Sequence, residues 1–370
     1  MRKQISLNNL DIDKKEQVFL SFLSPETIYL NVQESLSLNK KVLKNEEISP
    51  NNYSSISGIV TKILEDKVEI TNDFKEEEIT NNKKKFDLNK ATKESIITNL
   101  KKNNIKTTND ESLALLLQNQ KEYLIIKCFD EEVGLVNASY IFGKNTEKLL
   151  SLIDKLYSLF AFKRVVLLFK AKDNNLIKKC QENIGTYPNI RTKLINDYYP
   201  LTNEFINSLV FLNDTNNDSL ILSIYDILEI YYSLKNSFYA KPKVITISGN
   251  ALSKTYLVET KIGVKVNEIL NSITEIKDID CYYFLNSYLK IKRLENLDNL
   301  IVTNDFKGIF FNKKVPEEAC INCSKCYNIC PVYINPKNIN EKCIKCGLCS
   351  FYCPSNISLL EKKGSGKHVR

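Results

Sequence analysis

The chain has 370 residues, 43% of them hydrophobic and 26% charged, with 52 Lys and Arg against 44 Asp and Glu for a formal net charge of +8. A length of this size supports roughly two to three domains, and no apolar run approaches the roughly 20 residues of a membrane-spanning helix. The basic residues are almost all Lys and are scattered, which excludes a nucleic-acid-reading face, and the one histidine, His368, excludes His general bases and His-ligated metals from a folded core.

Residues 1 to about 16 are polar and ancillary, and Met1-Arg2-Lys3-Gln4 opens on no apolar core of the secretory type, so a cytoplasmic protein is expected. Short alternating runs follow at Gln17–Leu20, Thr27–Val32, Val42–Leu43, Ile48, Ser57–Ile63 and Lys67–Ile70. Their spacing predicts a small β-barrel or sandwich over 17–73. The charged stretch Asp73 to Lys90 reads as a solvated linker or loop.

From Asn89 the pattern turns helical at Ser95–Leu100 and Leu113–Leu117, then gives a strand at Tyr123–Cys128, a helix over Glu147–Phe160 and a buried-type strand at Arg164–Phe169. A strand at Asn189–Ile195, a helix over Ser219–Asn236 and a strand at Val244–Gly249 complete an alternating α/β layer across 87–240 and its exit. Val264 to Leu270 and the run to Phe311 suggest a smaller α+β module at 241–312. The fold class expected is multidomain α/β and α+β, closing with a cysteine-rich domain at 313–360.

Glycine occurs only 10 times, with none between Gly58 and Gly134. No P-loop and no G-x-G-x-x-G turn can be placed, because the backbone approach to a phosphate needs glycine. Eight of the eleven cysteines lie between 320 and 353, as Cys320-x2-Cys323-x2-Cys326-x3-Cys330-Pro331 and Cys343-x2-Cys346-x2-Cys349-x3-Cys353-Pro354. In this C-x2-C-x2-C-x3-C-P pattern three cysteines wrap one cuboidal [4Fe-4S] cluster and the fourth serves the other. Cluster I is thereby given Cys320, Cys323, Cys326 and Cys353, and cluster II Cys343, Cys346, Cys349 and Cys330. Zinc is the alternative, but it favours two separated C-x2-C knuckles and has no use for a third cysteine at the next step. Ile321, Ile329, Ile344 and Leu348 are expected to keep water from the clusters, and Cys128, Cys180 and Cys281 to be packed thiols.

The ordered set of residues resembles the C-subunit family of Rnf electron-transport complexes, itself related to the NADH-binding subunit of respiratory complex I. Cys349-Ser-Phe-Tyr-Cys353-Pro-Ser-Asn-Ile357 is similar to the family's C-S-Y-V-C-P-S-x-I ending; Ser54–Val60, Val68–Asp73, Tyr123–Cys128, Thr186–Pro188, Val244–Gly249 and Lys261–Val264 stand in the family's order. The resemblance implies a peripheral subunit on the cytoplasmic side of the membrane. Its partners would be the integral-membrane and iron-sulfur subunits of the complex, with ferredoxin reached indirectly and electron transfer coupled through partners to ion transport. It departs from the family where FMN and NADH would bind. The glycine-rich G-x-G-G-A-G-F-P-T stretch has no counterpart in Asp87–Asn119, the E-C-E-P-Y segment reads Lys127-Cys-Phe-Asp130-Glu-Glu132, and Asn39 and Asn45 stand for glycine in a barrel turn. Two readings follow: a working FMN- and NADH-reactive subunit, or, preferred on steric grounds, a relay through two [4Fe-4S] clusters with no FMN or NAD residues of its own. A soluble iron-sulfur electron-transfer subunit of another oxidoreductase is the alternative of a different class, and a metal-stabilised interaction protein a third.

Overall fold

The computed structural model describes Ile5–Ser6, most of 15–79 and of 87–355, and Ile357 and Leu359; the longer stretches outside it are 1–4, 7–14, 80–86, 212–217, 236–242, 277–281, 287–290, 312–318 and 360–370. Cys281, residues 80–86 of the charged stretch and the C-terminal tail therefore lie outside the described residues.

The N-terminal strands β1 (Gln17–Phe22), β2 (Thr27–Asn31), β3 (Lys41–Val42), β4 (Gly58–Ile63) and β5 (Lys67–Asn72) divide between two sheets. β2, β5, β4 and β3 form an antiparallel four-stranded sheet in that order. Asn39 and Asn45 take φ of 63° and 69° at its turns, the left-handed backbone that asparagine tolerates in place of glycine. The acidic run after β5 is less detached than its composition suggests. Glu76 pairs with Lys44 and Lys261, and Glu77 with Lys41, which fold its first residues back on the sheet.

The central layer is α1 (Lys93–Lys102), α2 (Leu113–Gln118), β6 (Tyr123–Lys127), α3 (Asn137–Leu159), β7 (Arg164–Lys170), α4 (Asn174–Ile184), β8 (Ile190–Ile195), α5 (Asn203–Val210), β9 (Ser219–Ser223) and α6 (Ile224–Leu234). Its four strands are parallel in the order β8-β7-β6-β9, so the direction of winding reverses between β6 and β9. Helices cover both faces, which is why Leu124–Ile126 and Val165–Phe169 are continuously apolar and buried. On one face Leu124, Ile126 and Leu167 pack with Phe142, Ile153 and Ile227; on the other Ile125, Val166 and Leu168 pack with Ile206.

Two elements depart from the sequence reading. The segment Ser219–Asn236 was expected as one helix, but its first five residues form β9, whose pairing with β6 decides a choice that an apolar run leaves open. The helix expected from Glu147 begins at Asn137, with a break at Asn145 (φ −124°, ψ 19°). There the Asn145 amide and the Thr146 hydroxyl donate to the carbonyls of Ile141 and Phe142, competing with the helical ladder.

The remaining strands, β10 (Lys243–Ser248), β11 (Thr255–Thr260), β12 (Tyr282–Asn286), β13 (Ile291–Leu294) and β14 (Phe306–Phe311), join β1 in a six-stranded sheet ordered β13-β12-β14-β10-β11-β1. β1, expected among the barrel strands, pairs in parallel with β11 instead. Ile28, Leu30, Val60 and Ile70 of the antiparallel sheet share one core with Ile245, Ile247, Val258 and Ile309. The fold is thus a multidomain α/β arrangement with a ferredoxin-type segment at its C-terminal end.

Candidate functional site

The cysteine segment repeats one backbone design twice. Asn322 and Lys345, each two residues after a loop's first cysteine, take φ of 51° and 54°; Ser324 and Gly347, one after the second cysteine, take 59° and 80°. Alternating left- and right-handed residues turn successive N–H groups inward and make an anion-binding concavity of the kind found at Fe–S sites. Each loop runs into a one-turn helix, α7 (Lys325–Asn328) or α8 (Leu348–Phe351), which carries the third cysteine. Each fourth cysteine closes the turn, Cys330 N–H donating to Tyr327 O at 3.1 Å and Cys353 N–H to Ser350 O at 3.2 Å.

Cys330 of the first loop lies with Cys343, Cys346 and Cys349 of the second. Burial pushes the Cys326 thiol up, and among the charges that push it further are Cys320 of its own loop and Cys353 of the other. Cys346 and Cys349 are pushed up to about 11 by burial, with Cys343 of their own loop and Cys330 of the first adding to the shift. Cys330, Cys343, Cys346 and Cys349 also line one open cavity of about 350 Å³, walled by Pro331, Ile334, Pro336, Ile344 and Leu348. Cys323 lies on the exposed rim of the first loop. A cysteine of one loop standing with three of the other is what a pair of [4Fe-4S] clusters with crossed ligands requires. A cationic metal core holds coordinating thiols deprotonated, which would offset the effect of burial on Cys326, Cys346 and Cys349. Among the described residues no three Cys, His, Asp or Glu converge on a single metal ion.

Of the expected shielding residues Leu348 is fully buried, whereas Ile321 is 63% exposed and keeps no water away. Cys128 and Cys180 are buried in the α/β core, as packed thiols. The cluster segment rests on the six-stranded sheet through Phe351, between the last two cysteines, whose ring meets that of Phe310 edge-on at 5.2 Å.

A second constellation, not found from sequence, fills the crevice beyond the C-terminal ends of β6 and β9. Open α/β sheets place ligands at such a reversal, with an anion at the helix N-terminus. Here the chain's own groups take those places. Asp130 Oδ2 accepts the Ala138 N–H at 2.8 Å, capping α3, whose own N-cap Val136 has no side-chain bond to offer. Asp130 Oδ1 accepts from Tyr225 Oη at 2.5 Å. Glu132 accepts from Lys307 Nζ at 3.0 and 3.3 Å, with both side chains under 10% exposed. The Lys307 ammonium stands 4.7 Å from the Tyr225 ring centroid. Thr246 Oγ1 donates to Asn137 Oδ1, and Asn137 Nδ2 donates to Lys307 O, closing the network. Burial alone would lower Lys307, but Glu132 and Asp130 outweigh it and hold the ammonium above its ordinary value; Glu132 is pushed up by burial, which Lys307 only partly offsets. Gly134 (φ 80°) completes the closure, since a Cβ there would meet the Phe310 ring at 2.8 Å. One signal could have found the site: Lys307 interrupts a strand that is otherwise Phe, Gly and Ile.

Comparison with known proteins agrees with the metal centre. A family model described as a 4Fe-4S binding domain matches residues 336–357, a span that includes Cys343, Cys346, Cys349 and Cys353. No curated protein matches. Solved structures similar to the chain include an NAD+-reducing [NiFe]-hydrogenase in its H2-reduced state, at 10% identity and a TM-score of 0.46, covering 60% of this chain and 47% of that one. The air-oxidised state gives 11% identity and a TM-score of 0.45 with the same coverage. The chain spans about half the length of the hydrogenase chains it matches.

Proposed function

We propose that this chain is an iron-sulfur electron-transfer subunit that relays electrons through two [4Fe-4S] clusters, as a peripheral, cytoplasmic-side member of an Rnf-type ferredoxin and NAD electron-transport complex. The observation that supports the relay is the gathering of Cys330 from the first loop with Cys343, Cys346 and Cys349 from the second around one cavity, which leaves Cys320, Cys323, Cys326 and Cys353 for a second cluster in this reading. When bound, the clusters supply one-electron transfer, tuned by burial and by hydrogen bonds to sulfur. The chain's own residues bind and orient: thiolates ligate, left-handed residues turn N–H groups inward, Lys345 N–H donates to Cys343 Sγ at 3.4 Å, and Phe351 seats the segment on the sheet.

The α/β layer does not fit FMN. Asp87–Asn119 has no glycine with which to cradle a phosphate, and the carboxylates that follow β6 are bonded to Tyr225, Lys307 and the α3 N-terminus. No electron step is therefore assigned to a flavin or nicotinamide on this chain. The Rnf assignment, its membrane and iron-sulfur partners and the coupled ion transport rest on the sequence resemblance alone. Among the described residues no helix is long and apolar enough to cross a membrane, so attachment in this reading is through partner subunits. A soluble iron-sulfur subunit of another oxidoreductase differs in fractionating without a membrane partner.

The test is anaerobic reconstitution of the full chain with iron, sulfide and flavin measured on one sample. About eight iron and eight sulfide without flavin are expected for two clusters. One FMN per chain would overturn the relay-only reading, and four iron would remove one of the clusters.

A further inference from the structure

The two cysteine groups have unlike surroundings. Cys330, Cys343, Cys346 and Cys349 face an apolar cavity walled by proline, isoleucine and leucine. The first loop is open: Cys323 is exposed, and Ile321 and Tyr327 beside it are 63% and 48% exposed. Into the open side reaches Lys337, from the turn that joins the two loops. Its Nζ donates to Asn322 Oδ1 at 2.6 Å, and that oxygen lies 3.7 Å from Cys320 Sγ. The turn is held by Asn335, whose Oδ1 accepts the Lys337 N–H at 3.0 Å. On the other loop, what Lys345 brings to Cys343 Sγ is its backbone N–H.

Reduction adds one negative charge to a cluster. Water and a fixed cation beside a ligand sulfur stabilise that charge, and an apolar enclosure opposes it, so exposure and hydrogen bonding order the potentials of otherwise alike clusters. Resting on the two-cluster reading above, we propose that Lys337, positioned by Asn322 and Asn335, sets the reduction potential of cluster I above that of cluster II. An electron would then pass from cluster II, with its apolar walls, to the more exposed cluster I and leave the chain across the face carrying Ile321 and Tyr327. Lys337 binds no iron; it is a positioning charge that acts through Cys320. Because Lys337 is exposed to water its influence is screened, and it weakens as salt is raised.

The experiment is a redox titration of the reconstituted full chain followed by electron paramagnetic resonance. Two waves are expected. Cys323→Ser should abolish the higher and Cys346→Ser the lower, so that either variant alone assigns both. Lys337→Gln should move the higher wave to more negative potential by about tenfold in the reduction equilibrium, or about 59 mV for a one-electron couple. The lower wave should stay in place, Lys337→Arg should restore most of the shift, and the Gln effect should shrink at high salt. Unmoved waves, equal movement of both, or assignment of the higher wave to cluster II would overturn the proposal. A chain that takes up a single metal ion and shows no such wave would overturn the two-cluster reading itself.

Discussion

Replacing Lys307 by Met probes the filled crevice directly. Lys307 and Glu132 are 9% and 4% exposed, joined at 3.0 and 3.3 Å, and Asp130 adds a second carboxylate nearby. Removing the cation leaves Glu132 buried without its counter-charge, which costs about 3–5 kcal/mol, whereas an apolar pair of similar volume is close to neutral. At roughly 2 °C per kcal/mol for a chain of this size the thermal midpoint should fall by about 6–10 °C. Lys307→Met/Glu132→Leu should regain most of it. The pH dependence has a definite sign. The folded-state value of Glu132 is raised above 4.5, so folding shifts this carboxyl toward its protonated form relative to the unfolded chain. Its contribution is fully present below 4.5 and is lost as pH rises through the raised folded value. Without Lys307 to oppose that rise, the penalty in Lys307→Met should be small near pH 4.5 and grow toward neutrality. In the unsubstituted protein Lys307 is itself raised above 10.5, so its contribution persists up to 10.5 and disappears above, as pH passes the raised value. Circular dichroism melts of the three proteins across pH provide the measurement. A double variant no more stable than Lys307→Met, or a penalty independent of pH, would show that the ion pair is not what closes the crevice.

Three further outcomes are expected. Cys346→Ser should lose or distort cluster II and lower iron content, while Cys180→Ser, deep in the α/β core, should leave iron unchanged; equal loss in both would sink the ligand assignment. Asp130→Ala should cost about 1–2 kcal/mol through the lost cap and charge at the α3 N-terminus, and amide exchange at Ala138 should accelerate; an unchanged rate would mean that Asp130 is not the cap. Burial pushes Glu69 up, but bonds from Tyr29, Lys62 and Thr61 outweigh it and hold the carboxyl below 4.5. Its contribution is present above 4.5 and lost as pH falls through the lowered folded value, so Glu69→Gln should flatten the acid limb of the stability profile, and an identical acid limb would discount those bonds.

Where the determinants are local, the sequence was sufficient. The cysteine spacings prescribe loop, left-handed residue and one-turn helix within a dozen residues, and Asn39 and Asn45 take the backbone their residue type tolerates. The buried strands Tyr123–Lys127 and Arg164–Lys170 are legible because a sheet covered on both faces demands unbroken apolar runs. Ser219–Ser223 was not, since a five-residue apolar run suits a strand or a helix until β6 claims it. Nor was the parallel pairing of Gln17–Phe22 with Thr255–Thr260, which depends on a partner far along the chain. The filled crevice was least visible. Glu132 and Lys307 are 175 positions apart, and a lone lysine in an apolar strand signals only that some partner must exist, since a buried charge is intolerable without one. Which partner it finds, and so whether the carboxylates after β6 face a ligand or the protein's own ammonium, is decided by how the six-stranded sheet packs against α3 and α6. That packing sums many weak apolar contacts between distant segments, and no short stretch of sequence contains it.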